Sequence, residues 1–399
     1  MEAHAKPAGG PILTKSSIVL FAFAAIGFFL IFLRFVLGLG VTTALSDGYP
    51  WGLWIAFDVV TGTAFACGGY AMALLVYIFN RGKYHPLIRP AILTSALGYT
   101  IAGLSVVIDV GRPWWVWKVP LYFWDWNLNS VLFEVAVCIM AYMIVLWIEL
   151  SPAFFERWKE SKWPALRKFA QAVSPILDKA LVWIVALGLL LPTMHQSSLG
   201  SLMLLTGPRL HPLWSTPYLP AFFLLTCIAM GYAVVVFESS FSAVALKRKA
   251  ETHLLLNLGK LAAAGGVIFV VLRFIDLAAR GRLGLVFQSD FHAVFFWLET
   301  ILFVLPLAFT IGRRNLGSLF LGAITLALAG ALYRFDTFLI AFSPGQGWHY
   351  FPSLTEQLIT LGLISFEVAV YATLVKLFPI LAGVSKPAPT NVPATSPAY

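Results

Sequence analysis

Nine carboxylates fall where a membrane interior would be. Of the eighteen Asp and Glu in this 399-residue chain, Asp58, Asp109, Glu134, Glu149, Glu238, Asp276, Glu299, Asp336 and Glu367 lie inside long apolar runs, with Arg34, Arg273, Arg334 and His195. An ionised side chain at the bilayer centre costs about 2.5–3.5 kcal/mol on insertion scales. Such residues must therefore be paired, protonated or wetted by internal water. Unpaired, they suit stations on a proton path. The alternative is a structural role. Arg273 and Asp276 are i,i+3 neighbours and read as an ion pair, and Asp109 reads as a helix end in water. Glu134, Glu238 and His195 have no partner nearby in sequence and point to function.

Metal and cofactor signatures are missing. Of seven histidines, only His195 lies well within a span, and His292 stands at a span's outer end. No repeated set of axial haem ligands, no GxGxxG, no P-loop and no zinc signature is found. Cys67, Cys138 and Cys227 lie in apolar segments without a CxxC pair, which argues against a disulfide framework, an iron–sulfur cluster or a zinc site. No metal site is expected. A redox role would need a diffusible carrier and electrons from a partner.

The elements that must position these residues are membrane helices. The chain is 60% hydrophobic and 11% charged, against roughly 25% charged in soluble domains. Apolar runs long enough to span the bilayer occur at residues 17–39, 54–79, 87–110, 129–150, 180–204, 219–246, 254–279, 291–311, 317–342 and 356–380. The fifth is interrupted by Pro192 and the polar run 193–198. With the N-terminus cytoplasmic, seventeen Lys and Arg fall in cytoplasmic segments and five, Arg112, Lys118, Arg209, Arg280 and Arg282, in outer loops. The positive-inside rule then puts both termini in the cytoplasm. The net charge of +9 thus sets topology rather than marking nucleic-acid binding. In this orientation most intramembrane charges lie toward the outer half, Glu367 is near the middle, and Glu149 and Glu238 lie toward the cytoplasm. Outer loops rich in Trp and Tyr, such as residues 113–117, 124–126 and 347–352, suit an interfacial belt or a docking surface. Residues 1–16 form a cytoplasmic segment, and the tail 383–399, rich in Pro, Ala and Thr, reads as disordered.

A short echo runs through the chain. Phe133-Glu134-Val135-Ala136-Val137 recurs as Phe366-Glu367-Val368-Ala369-Val370, and Asp109/Glu134, Asp276/Glu299 and Asp336/Glu367 repeat an Asp-then-Glu order. The echo fits two related helical bundles.

The chain resembles the NrfD/polysulfide-reductase-type membrane subunits, and among them the HybB type of respiratory nickel–iron hydrogenases. The resemblance rests on Gly48-Tyr49-Pro50-Trp51-Gly52, Ala56-Phe57-Asp58, Phe65-Ala66-Cys67-Gly68-Gly69, Ile108-Asp109-Val110-Gly111-Arg112, Asn129–Glu134 and Leu191–Leu202, and extends over about residues 10–380. It implies an all-α transmembrane fold of ten helices. Two four-helix bundles, at about 54–204 and 219–342, and flanking helices would make up a domain of residues 17–382. It implies a haem-free subunit of the bacterial inner membrane, not catalytic alone, that binds menaquinone or another quinone near the periplasmic face. The implied partners are a periplasmic ferredoxin-like iron–sulfur subunit and the large and small subunits of a nickel–iron hydrogenase. The quinone is then expected among Asp58, Tyr99, Glu134 and His195. His195 would act as hydrogen-bond donor and proton shuttle, and Tyr99 as a second donor. Glu134, Asp58 and Asp109 would relay protons, with Glu238 and Glu149 extending the path inward. A proton-coupled transporter, a subunit of another quinone-linked oxidoreductase and a passive anchor are the competing readings.

Overall fold

The computed structural model describes residues 5–311 and 315–382. Arg313, Arg314, Lys386 and the tail expected to be disordered lie outside the described residues. Ten helices are long and apolar enough to cross a membrane: α1 (Lys15–Leu37), α2 (Trp54–Ile78), α3 (Gly82–Asp109), α4 (Val131–Lys159), α5 (Pro164–Leu204), α6 (Leu219–Ala245), α7 (Thr252–Ala279), α8 (Phe291–Ile311), α9 (Leu316–Ile340) and α10 (Leu354–Leu377). No strand forms among the described residues beyond one bridge between Leu210 and Phe342. The protein is thus all-helical, with the ten expected spans. Odd-numbered connections form one face, rich in aromatic residues; even-numbered connections form the opposite, basic face.

Two local expectations change. The segment between the fourth and fifth spans was expected as a loop, but α4 continues to Lys159 and α5 begins at Pro164. Residues 151–179 are too polar to be read as membrane-spanning, yet they are rich in helix-forming Ala, Leu, Lys and Arg. Hydropathy marks where a chain leaves the bilayer, not where its helix ends. At 41 residues, α5 is roughly 60 Å long, about twice the hydrocarbon thickness. The two arms pack around Phe155, Ala170 and Leu177. Nor does Pro192 interrupt α5. The polar run satisfies itself on the helix: Thr193 Oγ1 donates to Leu189 O (2.7 Å), Ser197 Oγ to Thr193 O (2.9 Å) and Ser198 Oγ to Met194 O (2.9 Å), the usual way hydroxyls are accommodated in membrane helices.

The most buried helices are α2 and α6. Around Asp58, α2 widens into a π-helical turn, Trp54–Thr61, then breaks at Ala66–Cys67 before resuming at Gly68. Gly231 of α6 seats against that break, where a Cβ would lie 2.6 Å from Cys67 O. At the edge, α1 and α10 cross backbone to backbone at Gly27 and Gly362, where a Cβ on Gly362 would lie 2.6 Å from Gly27 Cα.

Gly362→Val should therefore overpack the α1–α10 crossing at a cost of about 1–3 kcal/mol. The thermal midpoint of the detergent-solubilised protein should fall, while Gly40→Ala, which meets nothing within 4 Å, should leave it unchanged. Equal midpoints for the two variants would contradict the tight crossing.

Candidate functional site

An apolar cavity of about 770 Å³ lies among α2, α3, α4 and α5, beneath the loop that joins α3 to α4. Its walls include Val60, Gly103, Ile139 and Leu199, and Arg112, Trp115 and Lys118 line it from the loop. One helical turn further in, each of three helices presents a polar ring. Tyr99 lies one turn before Gly103, Tyr142 one turn after Ile139, and His195 one turn before Leu199. Because the three helices alternate in direction, these offsets all point the same way, toward the basic face.

The three rings are fully buried and packed together, Tyr99 edge-on to Tyr142 at 4.6 Å and to His195 at 5.5 Å between centroids. Gln196 Nε2 lies 3.0 Å from His195 Nε2. An amide nitrogen can only donate, so this ring nitrogen accepts and Nδ1 carries the proton. Nδ1 has no hydrogen-bond partner among the described residues, leaving a buried donor without an acceptor there. Gln196 also donates to Thr63 Oγ1 (3.1 Å) and accepts from Arg334 Nη2 (3.3 Å). Arg334 is fully buried and has no carboxylate partner among the described residues. Its guanidinium donates instead to Phe223 O (3.0 Å), Thr226 Oγ1 (3.1 Å) and Gly330 O (3.4 Å). A fixed positive charge thus stands two hydrogen bonds from His195. Preorganised charge of this kind stabilises negative charge developing nearby.

Of the four residues expected around a quinone, the fold brings Tyr99 and His195 together and separates the other two. Asp58 faces α10, where its carboxylate accepts from Thr360 Oγ1 (2.8 Å). Glu134 is half-buried in the first turn of α4, roughly 12 Å along the helix from Tyr142. Asp109 lies beside Arg34, whose Nη2 donates to Val110 O (2.6 Å). Glu149 lies between α4 and α5, where a Cβ on Gly188 would be 3.4 Å from Oε2. Glu238 is instead held by Thr94 Oγ1 (2.7 Å) and Tyr371 OH, so these two inner acids sit in separate helix contacts. The expected Arg273–Asp276 pair does not form. Arg273 pairs with Glu299, which also accepts from Trp214 Nε1 (3.1 Å). Asp276 pairs with Arg280 Nε (2.9 Å) and accepts from Thr216 Oγ1 (3.0 Å). One turn of helix offers Asp276 two arginines, and only tertiary packing decides between them.

Of a polar stripe on α10, the sequence reading singled out Glu367 and missed its companions. Glu356, Thr360, Glu367 and Tyr371 recur at helical spacing, on one face over about 22 Å. Glu356 accepts from Ala44 N (2.8 Å), Ser353 N (2.8 Å) and Tyr350 OH (2.6 Å). Burial and this carboxylate push the Tyr350 hydroxyl well above its usual range, so it remains a donor. Thr360 meets Asp58, and Tyr371 meets Glu238. Glu367 lies against α3 at Gly98, where a Cβ would be 3.4 Å from Oε1, next in sequence to Tyr99. Asp58 and Glu238 thus each meet a hydroxyl of α10.

The aromatic loops divide into two kinds. Trp51 is structural, its Nε1 donating to Phe338 O (2.7 Å). In the loop between α3 and α4, Trp114, Trp117, Phe123, Trp124 and Trp126 are exposed, and Lys118 Nζ stands 3.7 Å over the Trp115 ring.

A sequence profile described as polysulphide reductase, NrfD, matches residues 41–343. The chain belongs to the NrfD family. It is 44% identical over 96% of both chains to the Escherichia coli protein named probable Ni/Fe-hydrogenase 2 b-type cytochrome subunit. It is 27% identical, over 86% of each chain, to the integral membrane subunit of menaquinone reductase from Nitratidesulfovibrio vulgaris. It is 23% identical, over 91% of this chain and 92% of the other, to the Hdr-like menaquinol oxidoreductase integral membrane subunit of Archaeoglobus fulgidus. Within this NrfD chain the residues do not fit the haem that the first of these names suggests. A b-type haem between helices needs axial ligands on facing helices. His195 is the one buried histidine among the described residues, and Tyr99, Tyr142 and Gln196 surround it.

The α10 stripe yields a stability test in this NrfD chain. Thr360→Val and Tyr371→Phe each deprive a buried carboxylate of a donor, at a cost of about 1–3 kcal/mol. Both should lower the thermal midpoint relative to Thr325→Val, whose hydroxyl bonds only its own helix. Midpoints equal to that of the control would contradict the assigned contacts.

Proposed function

We propose that this NrfD-family chain is the quinone-reactive membrane subunit of a hydrogenase-type oxidoreductase complex in the bacterial inner membrane. The observation that carries this reading is the apolar cavity, with the buried Tyr99–His195 pair one helical turn beyond the residues that line it and an imidazole donor there that lacks an acceptor among the described residues. Relatives named for menaquinone reductase and menaquinol oxidoreductase complexes and for a hydrogenase support it. The cavity matches an isoprenoid chain in polarity and suits a sizeable apolar ligand in volume. Menaquinone would enter tail-outward, with its head group at the inner end. His195 Nδ1–H would donate to one quinone oxygen and the Tyr99 hydroxyl to another. Gln196 and Arg334 orient the imidazole and favour negative charge on the ligand.

Reduction of a quinone to a quinol takes up two electrons and two protons. The electrons would come from a periplasmic ferredoxin-like iron–sulfur subunit, fed by the large and small hydrogenase subunits and docked over the exposed aromatic loop between α3 and α4. Protons would pass through His195 and Tyr99. The α10 stripe meets α3 next to Tyr99 and offers a supply line: Glu238 and Glu367 lead toward the basic face, and Asp58, Asp109 and Glu356 toward the aromatic face. Glu134 stands toward the loop end of the cavity and serves proton exchange there. Glu149 would serve a separate inlet between α4 and α5.

In the intact complex, His195→Gln should lower hydrogen-dependent quinone reduction by about 10²-fold or more, the usual scale for a lost proton-transfer group. Hydrogen oxidation with an artificial dye should persist. Gly103→Leu should fill the cavity without moving backbone, since a Cβ there meets only Met143 Sδ at 3.8 Å. It should raise KM for quinone with dye-linked activity intact. Wild-type quinone kinetics in both variants would refute the assignment.

A further inference from the structure

On the aromatic face, the α5–α6 loop and the start of α8 bring His211, Asp290 and His292 together. The three side chains are half-buried, and one ligand atom from each lies within 4.8 Å of the others. The two imidazoles are stacked, with centroids 4.1 Å apart and planes 3° from parallel. Their positions are set by other contacts. His211 N donates to Ala341 O (2.8 Å) beside the Leu210–Phe342 bridge. Asp290 caps α8 with one oxygen, which accepts from Ala293 N (2.7 Å). Trp214 flanks both rings, at 5.9 Å and 6.3 Å. The contact recorded on the His211 ring, from Leu213 N to Nδ1, is long at 3.4 Å, so the ring is not committed to a strong partner.

We propose that His211, Asp290 and His292 form a three-ligand site for a divalent transition-metal ion of the zinc class. Two imidazoles and one carboxylate suit zinc, cobalt or nickel rather than magnesium or calcium, which prefer all-oxygen shells. An imidazole binds a metal in its own ring plane, so the two parallel rings must turn out of their stack by side-chain rotation. That rotation closes the ligand atoms from within 4.8 Å to the spacing that bonds of about 2.0–2.2 Å require. Three protein ligands leave a fourth position for water or an exogenous group. The ion would tie the α5–α6 loop to α8 directly above Trp214, which hydrogen-bonds Glu299 of the buried Arg273–Glu299 pair. The site does not depend on the quinone reading, and either can fail without the other.

The test uses the full-length chain in detergent, without a polyhistidine tag, stripped with chelator and titrated with Co²⁺. One ion per chain should bind with visible absorption bands from nitrogen and oxygen ligands, and Zn²⁺ should displace it and raise the thermal midpoint. His211→Ala and His292→Ala should abolish the bands. Asp290→Asn, which keeps the helix cap, should weaken binding at least tenfold. His253→Ala and His349→Ala should bind as the parent does. No stoichiometric binding to the parent, or bands that survive His292→Ala or vanish in His253→Ala or His349→Ala, would overturn the site.

Discussion

An arginine without a carboxylate lies at the centre of this membrane protein. Arg334 keeps its charge out of water by donating to the backbone of α6 and α9, to Thr226 and to Gln196. Burying a guanidinium on neutral oxygens is costly, and it is sustained only where several helices converge on one point. That convergence requires α6 to close on α2 at Gly231 and α2 to break at Cys67. The same convergence holds Gln196 against His195 and leaves Nδ1 as an unsatisfied donor. The site's readiness for an acceptor is thus a by-product of how a single charge is solvated.

Several of the remaining charges are solvated in two other ways. Two ion pairs form in the second half of the chain, Arg273 with Glu299 and Arg280 with Asp276. Along α10 carboxylates are met by hydroxyls, with Thr360 on Asp58 and Tyr371 on Glu238. Pairing fixes a charge and suits structure. Hydroxyl contacts can accept or release a proton without leaving an opposite charge stranded, which suits transfer. On the proposed function, this difference favours a relay along α10 and its neighbours over one through the Arg273–Glu299 region.

The ten spans were legible because apolar length is a one-dimensional property. Their ends were not, since the polar arms of α4 and α5 are helical by propensity and by packing on each other. His195 could be picked out as a polar residue in apolar surroundings and Tyr99 came from the family resemblance, and the fold joins them. Asp58 and Glu134 carried the same signal, but which side of a helix a residue faces depends on neighbours remote in sequence. The expected Arg273–Asp276 pair failed for a related reason, because Asp276 has an arginine on either side within one turn. The α10 stripe was in principle readable from its helical spacing. The grouping of His211 with Asp290 and His292 was not, since two separate connections build it.

The most direct test of the account is photolabelling of the native complex in its membrane with a photoreactive menaquinone analogue, followed by peptide mapping of this subunit. Adducts should concentrate on the cavity walls of α3, α4 and α5, at residues such as Leu104, Ile139, Met143 and Leu199, and excess menaquinone should suppress them. Adducts concentrated instead on the open surface hollow formed by Phe287, Trp297 and Ile301, or unaffected by menaquinone, would contradict it.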